Sequence, residues 1–426
     1  MRYATVTRWL HQLHTLAHHD FFPNLSAPVR RFLYHPIGVL TLAALFAAVC
    51  GLFLHAQAFI LCGGVLAVLA LGILWPWLSL RGLDGSITFD RQRLTEGESV
   101  TVWLTLRNRL PWSAHGLAVR GGFGGEDNEI VAALASAPRR RSARCCWNFQ
   151  PCCRGLYPHR TPRLTSGFPF GLWENSCLLQ VPTPLIVWPR TYPVGPIPPV
   201  SGDRQVEGNV SRNKVGTHGD VLGVRPYRRG DSPRRIHWRQ SARHDRLIVC
   251  ELQSNARPVI QIVLDIDSQV HVGTGADSSR EWAIRMAASF ARGWLQDGAQ
   301  VGLAWAGFDL LAASGQAQCH KILDALASVP MTCQTPLAEV LACPRCRGFR
   351  DGLQLILTTD RAKPDHGCSA CENEEQHWVV LQAKAFDRTC EPSPPWQGPS
   401  PWLRIEAIET IPALLRGGWR EAQHGS

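Results

Sequence analysis

Pro36–Leu54 (PIGVLTLAALFAAVCGLFL) and Ala58–Leu80 (AFILCGGVLAVLALGILWPWLSL) are two runs without a charged residue, separated only by His55, Ala56 and Gln57. Each holds about the ~20 residues that a helix needs to cross a bilayer. The short break predicts a transmembrane helical hairpin over 35–81, with Trp75 and Trp77 at the level where aromatic rings prefer to sit. Arg30 and Arg31 precede the first run, Arg81, Arg91 and Arg93 follow the second, and the connecting turn has neither Lys nor Arg. That asymmetry predicts an inner-membrane protein of two spans, with both termini and the large soluble part in the cytoplasm. A cleaved signal peptide fits poorly, because the first run starts far into the chain and a second follows at once.

Upstream, residues 1–34 place Val6, Trp9, Leu10, Leu13 and Leu16 at helical spacing, with His11, His14 and His18 on another face. A short interfacial helix accounts for that pattern, and a histidine metal site is the alternative. The whole chain of 426 residues is long enough for two or three domains, and its formal charge of +10 suits an acidic partner, an anionic membrane or nucleic acid. Its 15 cysteines cannot all pair within one chain, and several sit in runs that read as strand interior, so most are expected as reduced, small apolar residues.

Downstream, 82–198 reads as a β-sandwich domain. Ser99–Arg107 (SVTVWLTLR) alternates cleanly, and shorter strands are predicted around Leu117–Arg120, Arg144–Phe149 and Leu185–Trp188. Cys145-Cys146 and Cys152-Cys153 could supply four thiolates, but neighbours in a strand point to opposite faces, which splits each pair. Residues 199–255 form a linker and a distinctive basic segment. The linker part, 200–218, is small, polar and Gly-containing and reads as a loop.

Within Gly219–Glu251 (GDVLGVRPYRRGDSPRRIHWRQSARHDRLIVCE) arginines are dense enough to act as guanidinium forks. Gly230-Asp231 reads as a turn, and Arg234–Arg239 alternates as an extended strand would. Asp231 is expected to accept from Arg225 or Arg235, with Tyr227 and Trp238 packed on guanidinium planes. The ordered pattern Arg225-x-Tyr227, Gly230-Asp231, Arg235-Ile236-His237-Trp238 and Ser241-Ala242-Arg243 resembles the signature of the bacterial domain-of-unknown-function-58 (DUF58) family. Arg154–Tyr157 and Pro169–Leu172 also resemble what precedes that signature. The resemblance implies a membrane anchor, a β-sandwich, a von Willebrand factor A-like domain after the signature, and association with MoxR-type AAA+ ATPases.

From 256 to 426 the pattern alternates strand and helix, which implies a doubly wound α/β domain with ligands beyond the carboxyl ends of its strands. The apolar run Val259–Leu264 suits a strand buried on both faces. Trp282, Met286, Phe290 and Trp294 are spaced for one helix face, capped near Asp277–Ser279 and stopped at Gly298. Further strands are expected at Val301–Ala306, Leu353–Leu357 and Trp378–Leu381, and helices at Ile322–Val329 and Pro336–Ala342.

In A-like domains the first strand leads into Asp-x-Ser-x-Ser, completed by a later Thr and a later Asp around Mg²⁺. The corresponding positions here are Asp265, Asp267, Gln269, Thr335 and Asp360, with Asp and Gln in place of the two serines. Oxygen ligands in that number suit octahedral Mg²⁺. The alternative is a loop in which Asp265 caps the following backbone. Cys343-x-x-Cys346 with Cys368-x-x-Cys371 has the spacing of structural zinc, although the strand between the pairs holds their ends roughly 15 Å apart.

No catalytic set gathers. Asp231, His237 and Ser241 lie on one short segment crowded by arginines, whereas a triad is normally assembled from distant segments. The two apolar runs and the missing catalytic set predict a membrane-anchored, non-enzymatic interaction protein, and the family resemblance implies that it works with a MoxR-type ATPase in assembly or remodelling of other proteins. A membrane-bound enzyme of envelope metabolism is one alternative. A basic nucleic-acid-binding protein is the other, and it is disfavoured because the arginine segment lacks an aromatic platform or a groove-reading helix.

Overall fold

The computed structural model describes residues 32, 34–124, 129–197, 203–206, 209–228, 233, 236–254, 257–347, 349, 352–363, 376–387, 389–390 and 396–418. The expected helix within 1–34, with its histidine stripe, lies outside these residues. The chain divides into two compact units: Met1–Asp90, Thr101–Trp147 and Pro158–Thr183 form one, and Arg91–Val100, Asn148–Tyr157 and Pro184–Ser426 the other. The stretch read from sequence as one domain over 82–198 is thus shared between them.

In the first unit the two apolar runs are helices, α1 (Pro36–Phe53) and α2 (Ala58–Arg81). At 1.5 Å per residue they measure about 27 and 36 Å, and both are long and apolar enough to cross a membrane. Leu45, Phe46, Leu52 and Ile60 are each more than 60% exposed, which a helix in water would not sustain over such a length. The connecting turn lets Phe59 lie over Gly51, where a β-carbon would come within 3.0 Å of its ring.

Beyond α2 come two antiparallel sheets. One has the order β1-β3-β6 (Leu83–Phe89, Val100–Asn108, Ser142–Phe149), the other β5-β4-β8-β9 (Ile130–Ala137, Ala114–Arg120, Arg163–Ser166, Asn175–Leu178). The alternation in β3 is realised: Val102, Leu104 and Leu106 are buried at 0–1% exposure while Trp103 faces out. Leu117, Val119 and Leu164 form the buried face of the second sheet. Asn108 ties the two sheets through Nδ2, which donates to Ala137 O at 3.2 Å. Phe123 packs edge-on against Trp147 and beside Phe89.

The second unit is built on a six-stranded sheet of order β16-β15-β14-β17-β18-β19. Its strands are β14 (Val259–Leu264), β15 (Gln300–Trp305), β16 (Phe308–Ala313), β17 (Leu353–Thr359), β18 (Gln376–Leu381) and β19 (Leu403–Ile405). All neighbours are parallel except β15 and β16, which close one edge as a hairpin turning at Gly307, whose φ of 77° suits glycine. Central β14 and β17 read as continuous apolar runs because helices cover both faces. On one side lie the helices Ser279–Gln296 and Gln316–Ala327, on the other Leu337–Ala342 and Pro344–Arg347. In the helix Ser279–Gln296, Trp282, Met286, Phe290 and Trp294 are all buried, each contributing on the order of 2 kcal/mol. Ser278 Oγ accepts from Glu281 N at the start of this helix, and Gly298 (φ 86°) ends it.

A small sheet of order β2-β10-β7 (Arg93–Thr95, Leu185–Trp188, Gly155–Tyr157) is fastened to those helices. Arg154, 5% exposed, is the hub. Its Nη1 donates to the carbonyls of Leu326, Ala327 and Val329 at 3.0–3.3 Å, satisfying the carboxyl end of the helix Gln316–Ala327. Glu96 accepts from Arg154 N and from Arg285 Nε, both at 2.8 Å. Outside this buried set, Arg93 grips Asp324 with two contacts of 2.9 and 3.1 Å, and Trp188 Nε1 donates to the same carboxylate at 2.8 Å.

The third sheet, β11-β12-β13 (Asp203–Val206, Asn209–Pro226, Ile248–Ser254), corrects the sequence reading. Residues expected as a loop over 200–218 fall largely in β11 and in the 18-residue β12, which pairs with β13 through repeated register shifts. Polar, Gly-containing composition signals a turn only where no partner strand is available.

Candidate functional site

The carboxyl ends of β14 and β17 place the acidic residues side by side. Asp265 N donates to Leu357 O at 3.0 Å, and Asp265 itself is 1% exposed. Its carboxylate accepts from Asp267 N at 3.1 Å through Oδ1 and from Thr358 Oγ1 at 2.7 Å through Oδ2. Asp267, 6% exposed, in turn accepts from Gln269 N at 3.0 Å. Burial pushes the Asp265 carboxyl up to about 6; the two hydrogen bonds oppose that rise and the Asp267 charge adds to it.

His271 closes this loop from behind. Its Nε2 donates to Asp265 O at 2.8 Å, so its Nδ1 accepts from Ser279 Oγ at 3.0 Å, and the ring is the neutral tautomer with its proton on Nε2. Burial drives its pKa down to about 4. Ser268 Oγ donates to Cys333 O at 2.7 Å and Ser268 N to the same oxygen at 2.8 Å, which binds the 331–336 loop to the rim. Thr358, Thr359 and His271 were not singled out from sequence, and Ser279 was read only as part of a helix cap. The one available signal was the pair of hydroxyls in LILTTD directly before Asp360.

The five expected Mg²⁺ positions are only partly gathered. Asp265, Asp267 and Gln269 share the loop, and Asp360 lies at the end of β17. Asp360 Oδ1 accepts from Ala383 N at 3.0 Å, capping the short helix Ala383–Phe386. Thr335 lines a cavity of about 330 Å³ with Trp305, Asp309, Glu339, Cys343 and Cys346. Both Asp265 oxygens are engaged by protein donors, and among the described residues no three His, Cys, Asp or Glu side chains converge on a common point. Each Asp265 oxygen keeps a second lone pair beside its hydrogen bond, so these contacts leave room for a metal ligand without assembling an octahedron. The alternative in which Asp265 caps the following backbone matches the Asp267 N contact.

Cys346 is 4% exposed, and burial, reinforced by the neighbouring Cys343 thiol, pushes its pKa up to about 12. Cys368 and Cys371 lie outside the described residues, so a four-thiolate zinc site is neither assembled nor dismantled. All 13 described cysteines are free thiols.

The basic signature is in part a helix rather than the expected strand. Ile236 bridges Val249, and the chain then enters the helix Trp238–His244. His237 caps it, with Nδ1 accepting from Gln240 N at 3.3 Å. Ser241 Oγ donates to His237 O at 3.0 Å and accepts from Ile248 N at 2.9 Å, locking helix to strand. These two side chains therefore hold local backbone. Trp238 is 67% exposed. Tyr227 N donates to Leu247 O, Arg225 Nη1 to Pro226 O, and Arg243 lies in the last turn of the helix, favourable for its carboxyl end. Gly230, Asp231 and Arg235 lie outside the described residues.

Residues 223–382 match the family model described as "Protein of unknown function DUF58". The match runs from within β12 through the signature and the strands up to β18. An uncharacterised protein of Bacillus subtilis, YeaD, is 25% identical over 259 residues, 58% of this chain and 59% of YeaD. The chain thus spans about three fifths of that relative's length. Both findings support the DUF58 family. Two solved structures of the CARDB domain of PF1109 from Pyrococcus furiosus align at 11% identity over 24% and 23% of this chain, and over 94% and 86% of the domain, with TM-scores of 0.17 and 0.16. Likeness at that level carries no structural argument.

Proposed function

We propose that this protein is a membrane-anchored, non-enzymatic interaction subunit whose α/β unit is a von Willebrand factor A-like domain that docks a MoxR-type AAA+ ATPase. The observation that carries the reading is the coupling in one chain of two helices long and apolar enough to cross a membrane with a DUF58-matching α/β region. Numbered within the α/β domain, the strand order is 3-2-1-4-5-6, in which partners bind beyond the carboxyl ends. There the rim offers exposed Ser268, Gln269 and Met331 around a buried acidic pair.

The docking face works without Mg²⁺ in this reading, because hydrogen bonds already fix the Asp265–Gln269 loop. The hairpin would hold the ATPase at the inner membrane, with both termini and the α/β domain in the cytoplasm, as the flanking arginines favour. The test is capture by the full chain, purified in detergent and offered to native bacterial extract with ATP or ADP. Recovery of an AAA+ ATPase in either nucleotide state supports docking, and its absence in both, with and without Mg²⁺, removes it.

A further inference from the structure

The hairpin between β8 and β9 carries the loop 167–174 (GFPFGLWE), whose large apolar side chains divide into two groups. Leu172 is 8% exposed and lies directly on Gly72 of α2, where a β-carbon would come within 2.6 Å of Leu172 Cδ1. The remaining three face outward: Phe168 is 39% exposed, Phe170 49% and Trp173 52%. Phe168 lies beside the His115 ring at 5.2 Å. Gly72 stands nine positions before Arg81, so the contact lies about 13 Å back from the charged end of the helix. Leu71, Leu74 and Leu78 on the same stretch of α2 are 37–60% exposed, and the loop aromatics extend that apolar surface.

We propose that loop 167–174 is a second membrane contact, dipping its aromatic side chains into the boundary between headgroups and acyl chains beside α2. This rests on the membrane reading given above. Three features favour a lipid surface as the occupant. The loop is continuous with a helix whose own surface is apolar all round. From Gly167 to Trp173 it has no charged residue, and the carboxylate that follows, Glu174, is held by Arg120 at 3.0 Å. Behind it, Arg120, Arg160 and Arg163 line a polar cavity of about 520 Å³, so the nearest excess charge has the sign that anionic lipid attracts. Phe and Trp are the side chains that such a boundary accommodates, because their rings are apolar in body and tolerate a polar edge.

The test uses the full chain in vesicles of phosphatidylethanolamine and phosphatidylglycerol, with p-benzoylphenylalanine replacing Phe170, Leu74 or Trp103 in turn. Trp103 is 40% exposed but sits five residues along β3 from Asn108, the residue paired with Leu83 just beyond α2. After irradiation, lipid adducts are expected at 170 and 74, several-fold above those at 103. Adducts at 74 with none at 170, or cross-links from 170 to protein instead, overturn the loop proposal and leave the anchor standing. Loss of adducts at both positions overturns the anchor and the loop together.

Discussion

Arg154 and Glu281 meet as a buried fork: Nη2 donates to Oε1 at 3.0 Å, and Nε lies 2.9 Å from Oε2 without the alignment of a hydrogen bond. Their side chains are 3% and 6% exposed. The pair joins the small sheet to the helix Ser279–Gln296, and Arg154 also satisfies three carbonyls at the end of the helix Gln316–Ala327.

Arg154→Met should therefore be strongly destabilising. It leaves Glu281 charged and buried and strips the carbonyls of their donor, a loss of about 3–5 kcal/mol by analogy with broken buried pairs. Glu281→Gln should cost less, since an amide can still accept from the guanidinium. Combining both in one chain should cost clearly less than the sum, and additive losses in apparent Tm would refute the coupling.

The Asp265 loop makes a prediction about pH. The folded pKa of Asp265 is raised to about 6, so its contribution is fully present below the unfolded value near 3.8 and is lost as pH rises through 6. His271 is lowered to about 4, so its contribution is present above 6.5 and is lost as pH falls through 4. Over roughly pH 4–6.5 the two oppose each other, each worth on the order of 3 kcal/mol. Asp265→Asn removes one arm, so the variant should lose thermal stability on acidification more steeply than the parent. Parallel profiles for the two proteins would contradict this.

Thiol chemistry should separate the cysteines. Cys146 and Cys152 are exposed, whereas Cys346 is buried with its pKa raised to about 12. At pH 8 its thiolate fraction should be on the order of a thousandfold below that of an ordinary thiol. Iodoacetamide followed by peptide mass spectrometry should mark Cys146 and Cys152 while Cys346 remains unmodified in the folded protein. Labelling of all three at one rate would show that Cys346 is open.

At Gly352 there is no room for a methyl group. A β-carbon there would stand 2.1 Å from Val259 O, forcing apart the start of β14 and β17. Gly352→Ala should lower stability by about 1–3 kcal/mol or more, as overpacked cores do. An unchanged unfolding midpoint would mean that the strands separate freely.

Much of this architecture could be read from local pattern. Val259–Leu264 announced a strand covered on both faces by its short, nearly unbroken apolar run, and the four aromatic and Met positions from Trp282 to Trp294 announced a buried helix stripe by their period. What escaped depended on partners distant in sequence. Arg154 looked like one basic residue in a short motif, and nothing nearby in the chain shows that its counter-charge lies 127 residues on. The long β12 was misread because its pairing with β13 overrides a polar composition. The signature was assigned to a strand as far as Arg239, whereas His237 provides a cap and the helix starts directly after it. At the acidic loop the three carboxylates were legible, but not Thr358, which donates to Asp265 from the end of β17.

The threading of β2 and β7 into the later unit sets a schedule for biosynthesis. Glu96 leaves the ribosome 189 residues before the Arg285 that neutralises it. At ~5–20 residues per second that is an interval of roughly 10–40 s. Throughout it the Glu96 carboxylate lacks its guanidinium, although β2 and β7 gain their pairing strand once β10 has emerged, and a message truncated ahead of codon 281 would leave the side chains of Glu96 and Arg154 without their partners on the helix Ser279–Gln296.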